Sequence, residues 1–274
     1  MTAKNIFVTA GFGRYAGCAK RISLQSLKTC IFSQTMTWTE KKLKAEKEFW
    51  GEHKKFITKE RFGNFIWKPY IISVELKKSR NGDVIFYCDS GCEINYNQKN
   101  TLEHWINNAK KYDITAFSSG TYWHNFTKDK LQKYFGISKN ESQNKLMAAG
   151  GFLIIRNSPE TRALIDNWYE LCKKDDYCLL DDSLSEADKI KKDFYGHRHD
   201  QSILHGLLIK SPLNINFLSE NLWRNDWRDA HDLPILALRN RHRFSVLPSA
   251  LSKNQPRLPF WKRMVSELMT RTGL

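Results

Sequence analysis

Two carboxylates, Asp89 and Glu93, bracket the small residues Ser90 and Gly91 directly after an apolar run, Val84–Cys88. Acids beside small residues suit a hard cation and a phosphate. Mg²⁺ or Mn²⁺ is commonly held by one or two carboxylates, with phosphate oxygens and water completing the shell. Small residues let a bulky nucleotide reach the backbone. The same spacing reads equally well as a polar turn in which Asp89 caps a backbone amide. A second ionisable group, Gly196-His-Arg-His-Asp-Gln-Ser202, opens an apolar helical run. A cap needs only Asp200; two histidines, an arginine and Gln201 go beyond that. Lys68 stands in an aromatic stretch, Arg61-Phe-Gly-Asn-Phe-Ile-Trp-Lys-Pro-Tyr70, at the start of a helix whose N-terminus favours an anion. The alternative is an apolar anchor with Lys68 reaching to solvent. His242, inside Arg239-Asn-Arg-His-Arg243, offers a further metal ligand or phosphate contact.

The elements that must position these residues follow from periodicity and punctuation. Val84–Cys88 opens after the turn pair Asn81-Gly82 and reads as a strand buried on both faces, as in a parallel sheet. Ligands of such sheets bind outside the carboxyl ends of the strands, where Asp89 lies. Asn5 to Ala10 reads as the first strand. Gly11-Phe-Gly-Arg-Tyr15 follows as a loop able to cradle a phosphate or nucleoside, with Thr9 and Tyr15 beside it. Neither GxGxxG nor GxxxxGK[ST] occurs. Residues 16–32 predict an amphipathic helix with Lys20, Arg21 and Lys28 outside and Ile22, Leu24, Leu27 and Ile31 inside. Residues 39–57 predict a solvated, charge-paired helix. Asn100 reads as the N-cap of a helix to Tyr112, and Asp113–Phe117 as a strand. Phe152–Ile155 is another strand, and Ala149-Gly150-Gly151 before it permits close approach of a ligand. Ser158 and Pro159 are N-cap and first residue of the next helix. Ile215–Leu218 is a late strand.

At 274 residues, with 41% hydrophobic and 13% aromatic content, the chain can build one large α/β domain or two small ones. The net charge of +15 implies an anionic partner: nucleic acid, a membrane surface or a phosphorylated substrate. The cations are spread along the chain without an RNP, KH or zinc-finger signature, so nucleic acid is not the expected partner. The six cysteines form no CxxC pair, which fits reduced thiols rather than a zinc knuckle. No run of 18 apolar residues and no secretory apolar region occurs, and a cytosolic location is expected. The stretch Leu258–Arg271 has helical apolar spacing with Phe260, Trp261, Lys262 and Arg263. It fits an interfacial helix on an anionic membrane, or a helix docked on the domain.

In their order, these residues resemble the GT-A fold glycosyltransferases, particularly bacterial enzymes that build capsule or lipopolysaccharide glycans. Trp67-Lys-Pro-Tyr70 followed by Tyr87-Cys-Asp-Ser-Gly-Cys-Glu-Ile-Asn95 resembles the segment leading into that group's DxD motif. Met147-Ala-Ala-Gly-Gly-Phe-Leu-Ile-Ile-Arg-Asn157 resembles the strand that approaches the donor sugar. His199-Asp-Gln-Ser202 resembles the late Asp-Gln motif of the glycogenin-like hexosyltransferases. The resemblance spans about residues 5–220.

It implies a single α/β domain of GT-A type, Rossmann-like, with a mostly parallel central sheet flanked by helices. Residues 1–220 would be catalytic, and 221–274 a basic, aromatic and helical extension packed on them, facing a membrane. The implied activity moves a sugar from a nucleotide donor, UDP-linked, to a glycan or lipid-linked acceptor in cell-surface polysaccharide synthesis, in the cytoplasm or at the inner membrane surface. Asp89 would hold Mn²⁺ or Mg²⁺ and phosphate, with Ser90 and Gly91 beside it. Thr9 and Tyr15 would lie at the nucleoside and Lys68 at the diphosphate. Gly150 and Gly151 would admit the donor, and Asp200 and Gln201 would lie beneath the sugar. The chain departs from the pattern at Gly91, where the family carries the second Asp. Glu93 and His242 are the replacement ligands; failing these, Lys68 and the basic segment around His242 would neutralise the diphosphate. Both retention and inversion fit. The alternative class is a nucleic-acid-binding or membrane-surface scaffold without catalysis.

Overall fold

The β-forming runs assemble into one six-stranded sheet in a computed structural model, which describes residues 2–59, 62–142, 146–219 and 232–247. The first part of the chain forms β1 (Asn5–Gly11), α1 (Ala16–Thr29), β2 (Gln34–Thr39), α2 (Glu40–Ala45), α3 (Lys47–Lys59) and α4 (Trp67–Lys78). The middle holds β3 (Val84–Cys88), β4 (Glu93–Ile94), α5 (Lys99–Ala109), β5 (Ile114–Tyr122), α6 (Asp129–Phe135) and α7 (Lys139–Ser142). Then come β6 (Leu146–Arg156), α8 (Pro159–Tyr177), α9 (Glu186–Ile190), α10 (His199–Lys210), β7 (Ile215–Leu218) and β8 (Ile235–Leu236).

The sheet order is β2-β1-β3-β6-β5-β7. Parallel pairs join β1 to β2 and β3, and β5 to β7, while β6 runs against both its neighbours. The sheet is therefore mixed but mostly parallel, as expected of the GT-A type. Two apolar layers cover it. Ile6, Val8, Ile85 and Tyr87 face Ile71 and Ile72 of α4, Ile165 and Trp168 of α8, and Ile203 and Leu204 of α10. Phe7, Val84 and Phe86 face Ile22 of α1, Leu102 and Ile106 of α5, and Leu236, Leu238 and Val246 of the late segment 232–247. That segment adds β8, which pairs with β4 in a two-stranded sheet.

Several local expectations needed correction. Residues 39–57 are not one solvated helix: β2 ends at Thr39, whose side chain caps α2, and α3 buries Phe49, His53 and Ile57. Leu24 and Leu27 are exposed, whereas Arg21 is buried. Nothing in α1 itself shows that its Arg21 face meets the chain again after residue 232. The strand expected at Phe152–Ile155 starts at Leu146. Helix α5 starts at Lys99 after a turn capped by Asn95, rather than being capped by Asn100. The cap at Ser158 and Pro159 is as expected, with Ser158 and Thr161 exchanging hydrogen bonds. The expectations for 221–231 and for the apolar stretch 258–271 lie outside the described residues, so the division at residue 220 stays an expectation.

Candidate functional site

Asp89 follows β3 on the same side of the strand as Ile85 and Tyr87, since side chains alternate. The Tyr87 hydroxyl donates to Asp89 Oδ1 at 2.6 Å, and the Asp89 amide donates to the Gly151 carbonyl at 2.9 Å. Above the same face, α4 brings in Lys68, which is 3% exposed. Its Nζ lies 3.2 Å from Asp200 Oδ2 and 3.5 Å from Asp89 Oδ1, and donates to the Gly150 carbonyl at 2.9 Å. Asp200, in the first turn of α10, is 2% exposed; its own carbonyl accepts from the Trp168 indole at 2.9 Å. Residues from four separate elements thus meet around one buried ammonium.

The electrostatics of this centre are set by burial and by mutual attraction. Burial lifts the Asp200 carboxyl to about 6, the Lys68 charge pulls it down, and the Asp89 charge pushes it up. Burial opposes the Lys68 charge, but the two carboxylates outweigh it and hold the ammonium above its usual value. Lys68 is the fixed charge here, and Asp200 is the group that titrates.

The two glycines of β6 are required by space. A Cβ on Gly151 would stand 2.9 Å from Asp89 Oδ2, and one on Gly150 would stand 3.0 Å from Gln201 Cβ. They sit where the β5–β6 register slips: Ala116 pairs with Leu153, but Ser118 pairs with Ala148. Bulges of this kind cluster beside sites because they re-aim the chain. The sequence pattern shows the glycines but not the slip: Ala148 and Leu153 face one core, Ala149 and Phe152 the other.

The remaining expected residues fall elsewhere. Ser90 is buried and its carbonyl accepts from Arg21. Gly91 backs onto Arg239, whose Cα lies 3.4 Å from a notional Gly91 Cβ, with the Tyr15 ring 3.9 Å from it. Tyr15 is therefore at the site loop. Thr9 lies on the opposite sheet face, beside Phe7 on the α1 side, and its hydroxyl has no hydrogen-bond partner.

Glu93 is fully buried. It accepts from the Gln25 amide, the Asn240 amide, the Ser245 hydroxyl and the Val246 backbone amide. Both its oxygens are engaged in fixing the late segment. His242 is exposed, and its backbone carbonyl accepts from the Arg21 guanidinium. Among the described residues, no group of three or more His, Cys, Asp and Glu side chains is arranged to hold a metal. Among the described residues, Glu93 is closed off by its own hydrogen bonds and Gly91 stands in place of an acid, so of the expected acid ligands only Asp89 remains at the site.

Cations approach instead. Arg21 binds the carbonyls of Ser90, Cys92, Asn240 and His242, which pins the site loop to residues 240–242. Arg239 follows from that docking, at a left-handed backbone position (φ 50°). Arg198, stacked on Phe126 with its charge 4.4 Å from the ring centroid, is destabilised in its charged form by burial and by Arg239. Sequence reading had not given Tyr87, Trp168, Arg198 or Arg239 a role of its own. Arg198 stood in the ionisable run 196–202 and Arg239 in the basic run 239–243, and Tyr87 lies two residues before Asp89 on the same strand face.

No protein-family model matches the sequence, and no curated protein matches it. Solved structures do. The glycosyltransferase involved in glycosylation of the major capsid of PBCV-1 is similar over 98% of this chain and 99% of its own, with a TM-score of 0.51 at 8% identity. Mouse xyloside xylosyltransferase 1, in its apo form, aligns over 85% of this chain and 97% of its own, with a TM-score of 0.45 at 12% identity. The galactosyltransferase LgtC aligns over 84% of this chain and 86% of its own, with a TM-score of 0.42 at 11% identity. The first of these carries the comparison: the mixed α/β fold is of the GT-A glycosyltransferase type.

Proposed function

We propose that this chain transfers a sugar from a nucleotide diphosphate donor to a hydroxyl-bearing acceptor. The observation that carries the reading is the buried Lys68 between Asp89 and Asp200, at the carboxyl end of β3 and against the Gly150–Gly151 bulge. A buried ammonium between two acids stabilises little by itself, because desolvation offsets much of the attraction. It suits a site where anionic charge builds. In sugar transfer the bond from the anomeric carbon to the diphosphate breaks, and a bond to the acceptor oxygen forms. The electrons of the broken bond go to the diphosphate, and the acceptor proton passes to a base.

Lys68, with Arg239 and Arg198 beside the site loop, would oppose the charge growing on the leaving group. Asp200 and Gln201, packed against Gly150, would face the oxocarbenium-like sugar. Tyr15 would lie toward the nucleoside, while Thr9, on the opposite face of the sheet, would not touch it. UDP is the nucleotide that the resemblance favours. The acceptor would be a glycan or lipid-linked oligosaccharide of a cell-surface polysaccharide, and the charge of +15 supports one that is anionic or held at an anionic surface. Cationic side chains would do here what a second acid and its metal do elsewhere, so Asp89 would position Lys68 and phosphate rather than anchor an ion.

Thermal unfolding with UDP, GDP, CDP and dTDP, each with and without Mn²⁺, tests this. A nucleotide at a hundred times its Kd adds about 2.7 kcal/mol, a midpoint rise of about 5–10 °C. One nucleotide should raise the midpoint without Mn²⁺, and Lys68→Met should abolish the rise. A rise that requires Mn²⁺ and vanishes in Asp89→Ala would restore the metal. No rise with any nucleotide would remove the reading.

A further inference from the structure

Immediately ahead of Lys68, the backbone enters an uncommon conformation. Phe62, Gly63, Asn64 and Phe65 all have positive φ, at 58°, 70°, 44° and 69°. L-residues avoid this region, and phenylalanine gains nothing there. Such runs persist only where the surroundings over-determine them, and they collect at ligand sites. The surroundings here are aromatic. The Phe62 ring stacks on Phe12 at 4.7 Å, just beyond β1, and the Phe12 ring meets Trp67 edge-on at 4.8 Å. The Phe65 ring centroid lies 5.1 Å from Lys68 Nζ, and that ring is 39% exposed. The turn therefore forms a wall beside the charged centre.

That wall carries polar atoms that no protein group satisfies. Asn64 is completely buried, yet neither its amide nitrogen nor its oxygen has a hydrogen-bond partner. The Trp67 indole N–H, on a residue 7% exposed, has none either. Gln201 Nε2, on a side chain whose Cβ and Cγ pack against Gly150, is in the same condition. A buried amide left unpaired is costly, so natural chains rarely keep one without a use. Together these atoms offer donors and an acceptor beside aromatic rings. A pyranose matches that set: each hydroxyl donates and accepts, and its C–H face packs on a ring.

We infer that the left-handed turn Phe62–Phe65 reads the transferred sugar, with the Asn64 amide and the Trp67 indole N–H bonding its hydroxyls and Phe65 covering its C–H face. The inference rests on the sugar-transfer reading and names the part of the donor this wall recognises. It makes Asn64 and Trp67 specificity residues for the sugar, with no contact to the nucleotide.

The test is calorimetric binding of UDP-glucose, UDP-galactose, UDP-N-acetylglucosamine, GDP-mannose and dTDP-rhamnose, each beside its free nucleoside diphosphate. The variants are Asn64→Gly, which keeps the left-handed backbone, and Trp67→Phe, which keeps the ring. Each should weaken the preferred sugar nucleotide about three- to tenfold, the value of one hydrogen bond. Binding of the matching free diphosphate should stay unchanged. This ratio separates recognition from structure, because a loosened fold weakens both ligands alike. Equal loss for both, or no loss for either, overturns the inference and leaves sugar transfer standing. The same holds if the wild type binds the free diphosphate as tightly as every sugar nucleotide. A wild type that binds none of these compounds overturns both readings.

Discussion

Lys68 and Asp200 hold opposite charges out of water, and each sets the other's protonation. Asp200 sits at about 6 because burial outweighs the pull of Lys68. It is therefore charged above about pH 6 and neutral below. The folded value lies above that of the unfolded chain. Its contribution to stability is accordingly full below about pH 4 and is lost as pH rises through 6. If Asp200 faces the sugar as a carboxylate, kcat/KM should fall on the acid side near pH 6. Lys68→Met removes the cation but leaves burial and Asp89, so the acid limb should move to higher pH. An unmoved limb in that variant would mean another group titrates.

Gly151 is a sharper instrument. Its missing Cβ leaves room for Asp89 Oδ2, so Gly151→Ala should displace the carboxylate by a few tenths of an ångström or more. Steady-state kinetics should show a loss of about 10²-fold in kcat. Full activity would mean that Asp89 has slack the geometry does not suggest.

At the scale of elements, the site loop is held from behind by two buried side chains of opposite charge. Arg21 collects four carbonyls, and Glu93 collects donors from α1 and from residues 240–246. Removing Glu93 leaves those donors unpaired. Glu93→Ala should lower stability by about 3 kcal/mol in urea unfolding. Hydrogen exchange should show the Val246 amide opening ahead of the central strands; unchanged protection there would refute the clamp.

These two residues also mark where sequence reading stopped. β3 and the Ser158 cap were legible because strand period and capping act over a few residues. β2 was not, because Gln34–Thr39 is an edge strand, polar and mostly half-exposed, and lacks an apolar stripe. Arg21 was placed outside because a helical wheel knows only its own period. The chain that covers it arrives more than two hundred residues later. Glu93 read as a metal ligand for the same reason: its spacing from Asp89 was visible, its partners were not. The resemblance put Asp89, Lys68, Gly150 and Asp200 around one donor, but the contacts by which they meet at a buried ammonium come only from the fold.

At the scale of the molecule, the excess of fifteen positive charges acts as a field rather than through one contact. Among the described residues, no helix is long and apolar enough to cross a membrane. An anionic acceptor surface would be approached through that field. Sedimentation with phosphatidylglycerol vesicles should therefore show binding at low ionic strength that fades as the Debye length shrinks below about 10 Å. Neutral phosphatidylcholine vesicles should not bind. Equal binding to both would assign the interaction to apolar contact instead.

The clamp behind the site loop has a further consequence, and it concerns time. Its hydrogen bonds join residues as far apart as Arg21 and His242, 221 positions along the chain, and Glu93 and Ser245, 152 positions apart. Closing loops of that length comes late in folding, after local helices and neighbouring strands have formed. A nascent or clipped chain reaching only to about residue 230 would carry Lys68, Asp89, Gly150 and Asp200, and Arg21 would still hold Ser90 and Cys92, but the bonds of Arg21 and Glu93 to residues 240–246 would be missing. If sugar transfer needs the loop braced, competence would then switch on in one step, when residues 232–247 dock.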